Sequence, residues 1–271
     1  MFVTNDYRYD GFGAQYQNII WSILWAEVNG HTFYYSDIER MLVGGSNKPP
    51  NVAENSKMNP AYLQMKMLRD ATNEEEQAFI EQALRCMNLK QKYPIVKAAP
   101  HGAVVFALKA PFFFKDIERD MESFHQSESF KKIQDAFFEN KTNPFDDTHY
   151  HVAVHIRRPV SFDVRVEGAN TEDAYFMRCM EAICNSKKDS GKPILFHIYS
   201  QGKLDDFSKY NVFPVQFHLD DDTFDSFKGM VFADMLVTSA SSYSYVAALL
   251  SKGSVVYLPF WHPPRKHWYI I

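Results

Sequence analysis

From residue 150 onward the chain alternates short apolar runs with helical ones, and few folds accept that alternation. HVAVHI (151–156), PILFHIYS (193–200), VFPVQFHL (212–219), ADMLVTS (233–239) and SVVYLPF (254–260) read as strands rich in Val, Ile, Leu and Phe. Between them, 171–186, 223–232 and 242–251 are spaced as helices. Strands buried on both faces and separated by helices predict a parallel sheet flanked by helices. The chain begins the same way, with an apolar run at 1–4 and a polar loop ending in Asp10-Gly11-Phe12-Gly13. A helix over 14–29 follows, with Tyr16, Ile19, Ile20, Ile23, Leu24 and Val28 at helical spacing. Asn29-Gly30 closes it, and HTFYYS reads as the next strand. Residues 44–60 predict a long polar loop, and 60–90 and 112–140 predict helices. The turn-rich KTNPFDDTHY marks a boundary between two α/β halves, 1–147 and 148–271.

Composition removes several functions. Hydrophobic residues at 46% and charged residues at 23% describe a globular chain. Lys and Arg number 29 against 33 Asp and Glu, a net charge of −4, so no nucleic-acid partner is expected. The three cysteines, Cys86, Cys179 and Cys184, form no Cys-x-x-Cys, which argues against a disulfide framework or a thiolate zinc site. MFVTNDYRYD lacks a signal pattern. The longest apolar stretch, near Ile19–Ala26, is far short of the roughly 20 residues that span a bilayer. The expectation is a soluble, cytoplasmic chain with no membrane insertion.

Five local patterns could carry chemistry. In HVAVHIRRPVS, His155 and Arg157 share a strand face while Ile156 and Arg158 point the other way. Guanidinium groups at a strand end suit phosphate, because their planar fork bonds two oxygens at once and stays charged; surface ion pairs are the plainer alternative. DGFGAQ before a helix could bring Gly11, Phe12 and Gly13 against an anion, or be an ordinary turn. In DMLVTSASSYSYVAALL, Ser239, Ser241 and Ser242 precede a helix and could offer hydroxyls and amides to phosphate, or simply cap it. His149, His151 and His155 share a strand face, a spacing that raises a metal site; no acid or Cys has matching spacing, and Arg157 would repel a cation. Asp220-Asp221-Asp222 could hold a divalent cation or be a solvated loop.

In order, these motifs resemble the fucosyltransferase superfamily of GT-B glycosyltransferases. That family has a glycine loop before its first helix, a His-x-Arg-Arg motif opening its second half, and an Asp-x-x-x-x-Ser-x-Ser-x-x-Ser pattern before a late helix. Here these are DGFGAQ, His155 with Arg157 and Arg158, and Asp234 with Ser239, Ser241, Ser242 and Ser244. The resemblance covers about the first 35 residues and most of 150–260. It implies an α/β GT-B fold, two Rossmann-like domains facing a cleft, with the acceptor on 1–147 and the nucleotide sugar on 148–271. It implies an inverting, metal-independent transfer of a sugar to a hydroxyl of a glycan acceptor, with no cofactor. Arg157 or Arg158 would bind the donor's β-phosphate and Asp10 would be the base, with Glu54 and Asp70 as runners-up. Gly11, Phe12, Gly13, His155, Ser200, His218, Asp222, Asp234, Ser239, Ser241 and Ser242 would line the donor site.

Two departures from the family bear on the donor. Pro159-Val160-Ser161 replaces the acid that follows His-x-Arg-Arg, and Ser200-Gln201 replaces a Ser-Asp pair. Asp221, Asp222 or Asp225, with His218 nearby, could read a guanine, so GDP-fucose and UDP-xylose both remain expected donors. A non-catalytic glycan- or nucleotide-binding module on the same fold is the alternative reading. A metal-dependent enzyme using the histidines or Asp220–Asp222 is a third.

Overall fold

A computed structural model describes residues 1–6, 10–36, 73–109, 113–158, 171–186 and 191–271. These residues form two compact units, one from residues up to Thr142 and the other from Asn143–Ile271. Glu54, Asp70, Pro159, Val160 and Ser161 lie outside the described residues, as does the loop predicted over 44–60.

The first unit holds a three-stranded parallel sheet, with β1 (Phe2–Asn5) between β2 (Thr32–Phe33) and β3 (Val105–Leu108). α1 (Phe12–Val28) connects β1 to β2. Its apolar spacing predicts one buried stripe, yet every residue from Phe12 to Leu24 is buried, whereas Val28 is exposed. The cause is cover on several sides. α1 packs on the sheet, on α3 (Phe114–Glu118) and on α5 (Glu128–Phe138), with α4 (Met121–His125) between those two in sequence. Polar side chains on α1 bond locally as a result: Ser22 Oγ donates to the Asn18 carbonyl at 2.7 Å, and Asn18 Nδ2 to the Asp6 carbonyl at 3.1 Å. Asn29-Gly30 ends the helix as its sequence predicts. Gly30 sits at φ +63°, and the His31 amide reaches back to the Ala26 carbonyl at 2.8 Å, a Schellman closure. α2 (Asn73–Met87) lies within the stretch expected to be helical and buries Ile80, Ala83 and Met87.

The second unit is a six-stranded, all-parallel sheet. Its strands are β4 (Tyr150–His155), β5 (Ile194–Ser200), β6 (Val215–Leu219), β7 (Met235–Val237), β8 (Ser254–Tyr257) and β9 (Tyr269–Ile270). They run β6-β5-β4-β7-β8-β9, the 3-2-1-4-5-6 order of a Rossmann sheet. Each expected strand of this half is present at the expected place, β4 displaced by one residue and the other four shorter than expected; β9 lies beyond the last of them.

Alternation along the strands divides the residues between two faces. Val152, Val154, Phe196, Ile198 and Phe217 face α6 (Asp173–Ser186) and the 3-10 segment Leu204–Val212, packing on Phe176, Met180, Phe207 and Tyr210. His151, His155, His197, Tyr199 and His218 alternate onto the opposite face. α7 (Thr223–Phe232) packs against β4 and against α8 (Ser242–Leu250). Two glycines permit close approaches: a Cβ on Gly229 of α7 would lie 2.0 Å from the Tyr199 hydroxyl, and one on Gly253 would lie 2.4 Å from the Ala233 carbonyl oxygen. No helix among the described residues is long and apolar enough to cross a membrane.

Candidate functional site

In a sheet of this order the chain reverses direction of growth between β4 and β7, and the loops leaving their carboxyl ends part to open a crevice. His155 ends β4; Ser239 and Ala240 follow β7 and lead into α8. The two sides meet directly. His155 Nδ1 and Ser239 Oγ share a hydrogen bond at 2.8 Å, both side chains being buried. Burial, and then the Arg157 charge, push His155 down to about 3, so its imidazole is neutral. Arg157 is half-buried, and its Nη1 donates to the Ala240 carbonyl at 3.3 Å, laying the guanidinium over the serine loop. Tyr243 of α8 sets its ring 5.4 Å from that of His155, edge to face.

The serine motif folds on itself. Ser241 is the N-cap of α8, its Oγ accepting the Tyr243 amide at 3.3 Å. Ser244 Oγ accepts the Ser239 amide at 3.3 Å and lies as close to the Ser239 and Ser241 carbonyls. Ser242, half-buried, is the first residue of α8. The amides of a helix's first turn lack intrahelical partners and carry partial positive charge. Chemically, the crevice combines a permanent cation, serine hydroxyls and a helix N-terminus, the equipment that receives phosphate.

Arg158 goes elsewhere. Its Nη2 bonds Asp173 of α6, and its guanidinium carbon lies 5.3 Å from the centre of the Phe207 ring. Asp173 also accepts from Lys209 Nζ at 2.5 Å and from the Tyr210 hydroxyl at 2.6 Å. Burial raises the Asp173 pKa, but bonds from Lys209, Tyr210 and Arg158 outweigh it and hold the carboxyl below its usual range. The expected alternation therefore holds at 155–158: His155 and Arg157 turn to the crevice, while Ile156 and Arg158 turn to α6.

The other expected donor residues scatter. Ser200 Oγ donates to the Ile156 carbonyl at 2.6 Å, pinning the chain that leaves β4. Asp222 is the N-cap of α7 and accepts the Phe224 and Asp225 amides at 2.8 and 3.0 Å. Asp234 stands at the opposite, amino end of β7, where its carboxylate accepts the His151 amide at 2.8 Å. His218 stacks on Tyr199 and bonds Asp221 through Nδ1 at 3.1 Å. In the first unit, Gly11 is the N-cap of α1 and its amide donates to Asp10 Oδ1 at 2.9 Å. Gly11 has φ −65° and open space where a Cβ would stand, so no left-handed turn requires glycine there. Phe12 and Gly13 are buried in the first turn of α1.

The trio of His149, His151 and His155, disfavoured as a metal site by its sequence setting, does not assemble. His151 and His155 share a face but sit at opposite ends of β4, and His149 precedes the strand. His151 instead joins a row that crosses three strands. His151 Nδ1 meets His197 Nε2 at 2.9 Å, and His197 Nδ1 meets His218 Nε2 at 3.1 Å. Burial, and then the imidazoles of His218 and His151, push His197 down to about 3. Sequence reasoning missed His197, Asp173 and Asp146. Alternation placed His197 on the right face, but its partners lie on strands whose adjacency only the sheet order sets.

The fold defines a Rossmann-type α/β unit whose switch point is lined by His155, Arg157 and the serine loop. No protein-family model and no curated protein matches the sequence. Among solved structures, the chain is similar to NodZ α-1,6-fucosyltransferase co-crystallised with GDP, at 12% identity and a TM-score of 0.40, over 92% of each chain. It is similar to fucosyltransferase NodZ from Bradyrhizobium at 13% identity and a TM-score of 0.39, over 92% of this chain and 93% of that one. It is also similar to POFUT1 in complex with GDP, at 11% identity and a TM-score of 0.41, over 93% and 94%. Likeness at this level identifies neither the activity nor the substrate of this chain.

Proposed function

We propose that the chain is a glycosyltransferase that binds a nucleoside diphosphate sugar at the carboxyl ends of β4 and β7 and transfers the sugar to a hydroxyl of a glycan. The observation that carries this reading is the meeting of Arg157, His155, Ser239, Ser241 and the α8 N-terminus at the switch point. The order of motifs along the chain supports sugar transfer over other uses of such a crevice.

In the proposed reaction the acceptor oxygen attacks the anomeric carbon from the face opposite the leaving group, inverting it. The carbon–oxygen bond to the β-phosphate breaks and its electron pair passes to the phosphate. Arg157 and the first-turn amides of α8 would meet that growing charge, the role a metal serves in other transferases. His155, neutral and bonded to Ser239, would fix the hydroxyl beside the phosphate as a positioning residue. Arg158 would hold the strand end through Asp173. Asp10 would accept the acceptor proton. GDP-fucose is the first donor to test and UDP-xylose the second.

The test is thermal stability against GDP, UDP, ADP and CMP, with and without EDTA, followed by transfer assays with the matching sugar donors. A ligand that binds only the folded state raises the melting temperature, by about 2.7 kcal/mol of stability at 100 times its Kd. A rise with GDP or UDP that persists in EDTA, with sugar release or transfer lost in Arg157→Ala, is the expected result. Nucleotide binding with neither hydrolysis nor transfer would replace the enzyme with a binding module. The absence of any nucleotide response would refute the site.

A further inference from the structure

We propose that Asp146, His149 and His151 form a binding site for a divalent cation of the zinc class at the amino end of β4. The site is independent of the nucleotide crevice: His151 and His155 are four residues apart on one strand, about 13 Å.

The donor atoms are already gathered. One ligand atom from each residue lies within 4.8 Å of the others. Asp146 Oδ1 is 3.4 Å from His149 Nδ1 and 3.7 Å from His151 Nε2. A tetrahedral ion with bonds of roughly 2.0–2.1 Å holds its donor atoms about 3.3–3.5 Å apart, so the two Asp146 pairs stand near that spacing and the two imidazoles draw together from within 4.8 Å. Hydrogen bonds from Thr148, and then from His149, hold the Asp146 carboxyl well below the usual range, so it is an anion. Two imidazoles and one carboxylate suit zinc and its neighbours, and leave a fourth position for water.

A second observation points at the same nitrogen. The row His151–His197–His218 ends on acceptors on both sides: the Asp221 carboxylate at 3.1 Å from His218 Nδ1, and the Asp146 carbonyl at 3.0 Å from His151 Nε2. His151 Nδ1 is taken up by His197, which leaves Nε2, the nitrogen facing the Asp146 oxygens, as the one a cation would meet. The row then becomes the outer support that ligating histidines use, each ring fixed through its second nitrogen. His151 is 3% exposed, whereas Asp146 is exposed and His149 half-exposed, which leaves a route of entry. A bound ion would tie the turn before β4 to the strand and cross-brace the sheet through β5 and β6.

The test uses chelator-stripped full-length protein and Zn²⁺ alone, with affinity measured by competition against a chromophoric chelator and geometry by the Co²⁺ ligand-field spectrum. One equivalent should bind the wild type and raise its melting temperature. His149→Ala and Asp146→Asn, both at the surface, should fold by circular dichroism yet bind at least about tenfold more weakly. Asp221→Asn, at the far end of the row, should weaken binding, and His101→Ala, an exposed histidine elsewhere, should not. Less than one equivalent on the wild type would overturn the proposal, as would wild-type affinity retained by both His149→Ala and Asp146→Asn.

Discussion

The two adjacent arginines should separate stability from binding when each is replaced by alanine. Arg158 bonds Asp173 with both side chains under a quarter exposed, and its guanidinium stacks on Phe207. A hydrogen bond to a charged group contributes about 1.5–3 kcal/mol, and a cation–π contact at a part-exposed site about 0.5–1. Lys209 and Tyr210 still satisfy Asp173 when Arg158 is gone, so the carboxylate is not orphaned. Arg158→Ala should therefore cost about 2–4 kcal/mol. At roughly 2–4 °C per kcal/mol for a chain of this size, the melting temperature falls by about 4–16 °C. Arg157 bonds a neutral carbonyl at 3.3 Å, so Arg157→Ala should cost about 1 kcal/mol or less. Its loss should appear in nucleotide affinity: a charge-assisted phosphate contact of about 1.5–3 kcal/mol corresponds to roughly 10- to 150-fold in Kd. Calorimetric titration with whichever of GDP and UDP binds the wild type, beside thermal unfolding of the free proteins, reads both quantities. If Arg158→Ala abolished binding at an unchanged melting temperature while Arg157→Ala bound as wild type, the assignment of the two faces would be wrong.

Two further outcomes follow from the packing. His155 is held near 3 in the folded protein against an ordinary value near 6.5, so below pH 6.5 the unfolded chain takes up a proton that the folded one refuses. Its contribution is fully present above pH 6.5 and declines toward pH 3 by up to about 1.4 kcal/mol per unit. Chemical unfolding from pH 7 to 5 should lose about 2 kcal/mol through this group, and the similarly depressed His197 adds a slope of its own, so His155→Asn should remove only the His155 share; an unchanged slope would exclude His155 as a source. Gly229→Ala should destabilise the second unit by about 1–3 kcal/mol through overpacking on Tyr199, with Tyr199→Phe recovering part of the loss. A neutral Gly229→Ala would mean that α7 can move away.

Local physics made much of the second unit legible. Runs such as ILFHIYS and SVVY are too apolar for a surface, and Ser241 caps its helix, one of the two readings the serine motif offers. The opposite facing of Arg157 and Arg158 follows from the two-residue period of a strand. What stayed hidden depends on strand order. His151, His197 and His218 are spread over 68 positions of sequence, and only the β6-β5-β4 arrangement brings them into a row. Asp146 is not legible from strand spacing, because this aspartate reaches His151 from the turn before the strand. In sequence Asp234 groups with the serine motif that follows it, but a three-residue strand carries that motif to the other end of the sheet.

Gly253 imposes a constraint that no ligand or partner can relax. A side chain there would strike the carbonyl oxygens of Ala233 and Asp234 at 2.4 and 2.6 Å, backbone that has no rotamer to yield. Loops can drift, and a binding crevice can be retuned for a new sugar, but this position admits one residue as long as β7 and β8 pair. As relatives of this chain diverge, a glycine three residues after the end of α8, and a second on α7 facing an aromatic of β5, should outlast the motifs that carry the chemistry. Their spacing offers a search pattern based on steric necessity, suited to sequences whose catalytic residues have already changed.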